Sequence, residues 1–312
     1  GPGADAAPMG PGADAAPHAA PAPNPAPATN PAANDHRGYV WCLTTTPDGT
    51  LVSGGRDGRI LGRGDPGRGD PSRGDVGPRA HHDLHELRTH PATVTALAWS
   101  GGLWSADRRG AVRSPLTTFT AHEGATLALH ALPDGCVASA GADGRVRVWR
   151  ADGTCVRTWQ AHEGWAWGLS VGPHGGLVSV GEDGRVATLG AGVTHTDLGG
   201  GPLRCVTHVR GRVVVGGADG RLHVAGERPR AVHVGAVRAV LALPSDGALP
   251  GGRATAGEDG RVRVEDADGV EVGGWAHPDM AVALAACGGG VASASYDGTV
   301  RWARIGAAPP SA

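Results

Sequence analysis

The chain has 312 residues, of which 54 are glycine and 24 proline, and its formal net charge is −2. That balance excludes bulk electrostatic capture of nucleic acid or of an anionic membrane surface. All 28 basic residues are arginine; beside a single phenylalanine and abundant alanine, this reads as coding bias rather than phosphate recognition. No apolar run approaches the roughly 18 residues that span a bilayer. No charged segment followed by an apolar run marks a secretory signal, so a cytoplasmic or nuclear protein is expected. The odd set of 5 cysteines (Cys42, Cys136, Cys155, Cys205, Cys287) has no CxxC spacing, which fits a reducing compartment better than a disulfide scaffold or a zinc site.

Residues 1–35 are rich in proline and alanine and are expected to form a flexible leader. A first unit opens at His36-Arg37-Gly38-Tyr39-Val40-Trp41 and reaches a turn at Asp57-Gly58. Residues 62–80 then interrupt it with Arg-Gly-Asp at 63–65, 68–70 and 73–75. The triplet matches an integrin ligand, but without an export signal it reads as a low-complexity loop. An outer strand over 84–90 leads into a second unit at His90. The third unit holds the clearest hairpin, 137–149, where apolar residues alternate around the tight turn Asp143-Gly144. Copies lie at 52–58, 178–184, 215–220, 254–260 and 292–298, with a degenerate one at 104–110. From Asp143 onward the turn aspartates Asp183, Asp219, Asp259 and Asp297 follow at intervals of 40, 36, 40 and 38 residues.

A period near forty with short strands and a turn at fixed phase marks propeller blades. The expected fold is therefore all-β: a seven-bladed β-propeller over 36–303, with a tail at 304–312. The closing blade lacks a legible fourth strand. Pro309 and Pro310 lie downstream of it, and Pro25, Pro27 and Pro31 lie upstream of the first unit, all poor strand material.

This pattern resembles the WD40-repeat family over roughly residues 36–303. The resemblance implies a hydrogen-bonded tetrad within each blade, made by a loop His, a Ser or Thr on the second strand, the turn Asp and a Trp on the third strand. The third unit supplies all four in His122, Ser139, Asp143 and Trp149. The fourth has His162, Ser179 and Asp183, with Leu189 at the Trp position; the sixth has His233, Thr255 and Asp259, with Glu265 there. The seventh has His277, Ser293 and Asp297, and its Trp302 falls one residue early, on the other strand face. The first has Ser53 and Asp57 with His36 as candidate partner. The second has His90 and Ser105 but Arg109 in place of the aspartate, and the fifth retains only Asp219. Arg150 follows Trp149, so the family's signature dipeptide is absent.

Such a tetrad satisfies buried polar groups. Its His/Ser/Asp trio also composes a hydrolase triad. Here it recurs blade after blade, whereas a catalytic centre is needed once, so it reads as structural. His85 and His90 miss the HExxH spacing by one residue, and His81, His82, His85 and His90 are expected to hold no metal. No cofactor is expected.

The resemblance further implies partner docking on the face bearing the residue before each turn Asp and the start of each innermost strand. Carried over, this gives Tyr39, Trp41, Arg56, Trp165, Trp167, Glu182, Arg204, Arg238, Glu258, Met280 and Tyr296 as candidate partner-binding residues. They fall in two spots: Tyr39, Trp41, Met280 and Tyr296 from units one and seven, and Trp165 and Trp167 beside Glu182 across the ring. Exposed Trp, Tyr and Arg are the material of binding hot spots; filling the central channel is the competing role for Trp41 and Trp167. The expected function is a non-enzymatic scaffold, a monomeric propeller within a complex, that binds a peptide or protein. The alternatives are an adaptor subunit of a ubiquitin-linked or RNA-processing assembly, and a propeller enzyme using Glu182 and Glu258.

Overall fold

The computed structural model describes residues 36–64, 84–173 and 175–305. Within them the chain is all-β and forms seven antiparallel sheets in sequence order around a ring. The blades span residues 40–89, 94–120, 126–160, 166–197, 203–231, 237–276 and 281–304. In blade 3 the innermost strand is Thr126–Ala131, followed outward by Val137–Gly141, Arg145–Trp149 and Cys155–Gln160. The third strand of blade 1 runs through Arg63, so the insertion begins later than its composition indicates. The leader, residues 65–83 (which include most of the insertion) and residues 306–312 of the tail lie outside the described residues.

No single core exists. Seven hydrophobic clusters occur among the described residues, and each joins one blade to the next. This explains why second strands such as Val137–Gly141 are buried along their whole length: both faces meet a neighbouring sheet. Small residues predominate there because two sheets must approach closely.

The turn glycines tie the seams together. At Gly144 (φ 71°) the backbone is left-handed, and its carbonyl accepts the amides of Ala161 and His162 at 3.1 and 3.0 Å. A Cβ on Gly144 would sit 2.4 Å from the His162 carbonyl oxygen of the next blade. The Asp-Gly turn therefore serves two blades, the aspartate inside its own and the glycine against the following one.

The ring closes by packing. Val40 and Leu51 of blade 1 bury against Ala285, Cys287, Ala292, Ala294 and Val300 of blade 7. Blade 7 has three strands among the described residues, and within these the seam is made by side chains packed between the sheets. The prolines noted beside the closing blade lie outside the described residues.

Candidate functional site

The implied tetrad forms in full inside blade 3, and its His–Asp–hydroxyl part recurs in other blades. In blade 3, His122 Nδ1 lies 2.8 Å from Asp143 and Nε2 lies 2.7 Å from Ser139 Oγ, while Trp149 Nε1 donates to the same hydroxyl at 2.8 Å. The direction of the chain is fixed chemically. An ionised carboxylate only accepts, so Nδ1–H donates to Asp143, Nε2 accepts from Ser139, and the Ser oxygen accepts from the indole. The same His–Asp and His–hydroxyl contacts occur in blade 1 (His36, Asp57, Ser53), blade 4 (His162, Asp183, Ser179) and blade 6 (His233, Asp259, Thr255). A glycine two residues after the hydroxyl makes room for the imidazole: a Cβ at Gly141 would fall 2.3 Å from the His122 ring. Ser139 is 0 % exposed, which closes it to any substrate and removes the hydrolase reading of the trio.

Three blades depart from the sequence expectation. In blade 2 the aspartate is not lost to Arg109. Asp107, two residues earlier, reaches His90 Nδ1 at 3.1 Å and accepts the Arg109 amide at 2.9 Å. In blade 5 the loop histidine is replaced by His223, from the third strand, whose Nε2 lies 3.4 Å from Asp219 Oδ1. In blade 7 the spacer glycine is Ser295, His277 and Asp297 are 3.4 Å apart, and Thr299 Oγ1 bonds Asp297 at 2.6 Å. Trp302 points away and donates to the Cys287 carbonyl. The missing indole comes from the neighbouring blade, where Trp275 donates to Ser293 Oγ at 2.8 Å.

Burial keeps these imidazoles neutral: His36, His90, His122, His162 and His233 titrate below the usual 6.5, and His277 is lowered to about 4. Burial works against the Asp143 carboxylate, but Arg147 and His122 outweigh it and hold its pKa down to about 2. Below pH 6.5 the unfolded chain takes up protons that the folded one refuses, so stability present at neutral pH is lost as pH falls towards 4. The lowered aspartates add a further loss below about 3.8 (Asp57, Asp143, Asp183, Asp259, Asp297). Urea denaturation midpoints should be level from pH 8 to 7 and fall steadily below 6.5; a level profile down to pH 5 would contradict neutral buried histidines.

At one end of the channel the candidate partner-binding residues come together through a repeated backbone device. The innermost strand of every blade carries a bulge at its second residue, leaving Trp41, Thr95, Leu127, Trp167, Arg204, Arg238 and Val282 out of the ladder. Bulges re-aim side chains. In each blade the amide of the residue before the turn position also bonds the carbonyl at the lead-in to the innermost strand, as with Arg56 to Tyr39, Glu182 to Trp165 and Tyr296 to Met280. The two sets of positions are thereby brought to one face.

Tyr39 stacks on Tyr296 with centroids 4.6 Å apart, and Trp41 lies 5.8 Å from each ring. Arg56 covers Tyr39 at 5.6 Å. Trp165 (43 % exposed) and Trp167 are 5.0 Å apart. Arg204 lies over Trp167 at 4.4 Å and pairs with Glu182 at 2.8 Å, and Trp167 Nε1 donates to the same carboxylate at 2.5 Å. The two spots are not separate. Arg238 of blade 6 stands 5.6 Å from the Trp41 ring of blade 1 and 6.0 Å from the Trp167 ring of blade 4. Side chains from non-neighbouring blades meet only near the axis, so these residues form one band across the channel mouth. Met280 flanks the band, half-buried, and Glu258 pairs with Arg238 at 3.6 Å. Burial pushes the Tyr296 phenol up, with Arg238 pulling against it. Glu182 and Glu258 are thus engaged in holding arginines, not converging on an open site.

No disulfide forms and no group of three or more metal-ligating side chains occurs among the described residues. His90 is bonded to Asp107 and Ser105, His85 sits on an outer strand, and His81 and His82 lie outside the described residues. No helix among the described residues is long and apolar enough to cross a membrane.

Three segments, 31–61, 113–150 and 153–187, match the family model of the WD domain, G-beta repeat. No curated protein matches the chain. Among solved structures it is similar to the WD40 beta propeller domain of Doa1, at 19 % identity and a TM-score of 0.72, over 86 % of this chain and 93 % of that one. Matches to 1354 solved chains speak for a common architecture and single out no partner.

Proposed function

We propose that this seven-bladed β-propeller, with its segments matching the WD domain, G-beta repeat, is a non-enzymatic interaction scaffold of the WD40 kind and binds a peptide or protein segment across the channel mouth. The observation that carries this reading is the continuous band of rings and guanidinium groups from blades 1, 4, 5, 6 and 7, linked by Arg238. Flat rings ordered by neighbouring cations offer contact area at little entropic cost, which is how binding hot spots are composed. Cytoplasmic or nuclear residence, and a monomeric propeller within a larger assembly, belong to the same proposal.

Alanine at Trp41, Trp165, Trp167 and Tyr296 should remove partner capture while leaving the melting temperature close to that of the parent. Pull-down against a displayed peptide library and calorimetry on the same preparations check it. Undiminished capture would reject the mouth as the docking surface.

A further inference from the structure

The mouth is electrically lopsided. Over blades 4 to 6 its arginines are answered, Arg204 by Glu182 at 2.8 Å and Arg238 by Glu258 at 3.6 Å. Over blades 1 and 2 they are not. Arg56 and Arg108 hold equivalent places, each donating its amide to a lead-in carbonyl (Tyr39 and Thr93). Arg37 lies in the loop before blade 1 and Arg109 in the turn of blade 2. All four are exposed, and none forms an ion pair with a carboxylate among the described residues.

Two of these cations, Arg56 and Arg108, act on the stacked Tyr39–Tyr296 pair. Arg56 lies over Tyr39, and Arg108 is near enough to Tyr296 to act on its phenol. Asp279, an exposed carboxylate that accepts the Met280 amide at 2.7 Å, also acts on this phenol and offsets part of the positive charge. A guanidinium resting beside a ring keeps its N–H edge available to an anion. On the other side of the band Arg204 Nε is shielded from solvent and has no hydrogen-bond partner. The chain's net charge of −2 means that this positive sector is local, not a general basicity.

Resting on the proposed docking reading, we infer that the segment bound at the mouth is an acidic peptide, with its anionic side chains seated over Arg56 and Arg108 and an apolar residue against Tyr39, Tyr296 and Trp41. A carboxylate and a phosphate share the chemistry these arginines recognise. A single-stranded nucleic acid would use the same charges but would track them without needing a peptide's apolar anchor.

The test is selection of a random displayed peptide library on the full chain, on Arg56→Glu/Arg108→Glu and on Trp41→Ala/Tyr296→Ala. The parent should enrich Asp- and Glu-rich peptides and the charge-reversed variant should enrich Lys- and Arg-rich ones, while the aromatic variant should enrich nothing above background. A selected acidic peptide, resynthesised, should bind the charge-reversed variant at least about tenfold more weakly, and its affinity for the parent should fall as salt rises. Resynthesis with phosphoserine at the acidic positions separates the two sources: tighter binding identifies phosphate, weaker binding carboxylate. Aromatic-dependent enrichment without acidic bias overturns the inference and leaves the docking surface standing. No enrichment on the parent overturns both. A thymidine oligonucleotide that binds as tightly as the peptide and depends on the same arginines overturns the peptide assignment.

Discussion

Asp143→Ala should lower the stability of the propeller by about 3 kcal/mol, read as a shift in the urea midpoint at pH 7. The Asp143 side chain is 7 % exposed and accepts from His122 Nδ1 at 2.8 Å, from Arg147 at 2.8 Å and from the Arg145 amide at 3.1 Å. Truncation leaves these three donors facing a void from which water is largely excluded, and an orphaned buried donor costs more than a hydrogen bond contributes. Asp219→Ala in blade 5 is the internal control. Its side chain is 29 % exposed and lies 3.3 Å from His223, so water can replace much of what is removed. Its cost should stay within about 1 kcal/mol. Equal losses at the two positions would show that the tetrad contributes nothing beyond turn geometry.

A second large effect is expected at Glu265, which is 1 % exposed and stands where blade 3 has its tryptophan. Arg230, from the outer strand of blade 5, reaches both carboxylate oxygens at 2.5 Å, and Arg253, from the second strand of blade 6, donates Nε at 2.7 Å. Glu265→Ala removes the anion that holds two blades together and strands a guanidinium at the seam, at a cost of about 3–5 kcal/mol. Replacing Glu265, Arg230 and Arg253 together by leucine or methionine should recover most of that loss, because the desolvation of all three charges disappears with the pairing. A single-variant cost below about 1 kcal/mol would contradict the clamp.

The repeat was legible because an aspartate and a glycine occupy the same turn in six of the seven blades, the first to accept and the second to permit left-handed backbone. Substitutions that keep the function but move the residue were not legible. Asp107 occupies the spacer-glycine position, so alignment by the turn passes over it and finds Arg109. His223 and Trp275 meet their partners from another strand and another blade, and periodicity carries no record of such contacts. Ring closure was obscured because it depends on side chains such as Val40 and Val300 across a seam, while the sequence signal concerned strands and prolines. Likewise the proposed docking residues could be named one by one, but their meeting through Arg238 follows only once seven blades converge on an axis.

The bulge on each innermost strand separates two kinds of selection. A residue excluded from the ladder contributes little to the cohesion of its sheet, so its identity is free to follow the partner instead of the frame. Five such sites, Thr95 and Val282 being buried in the frame, form a palette that evolution can recolour while the frame keeps its melting point. Thermal surveys would then be blind to a change of ligand, and two proteins of this kind with indistinguishable unfolding curves need share no partner.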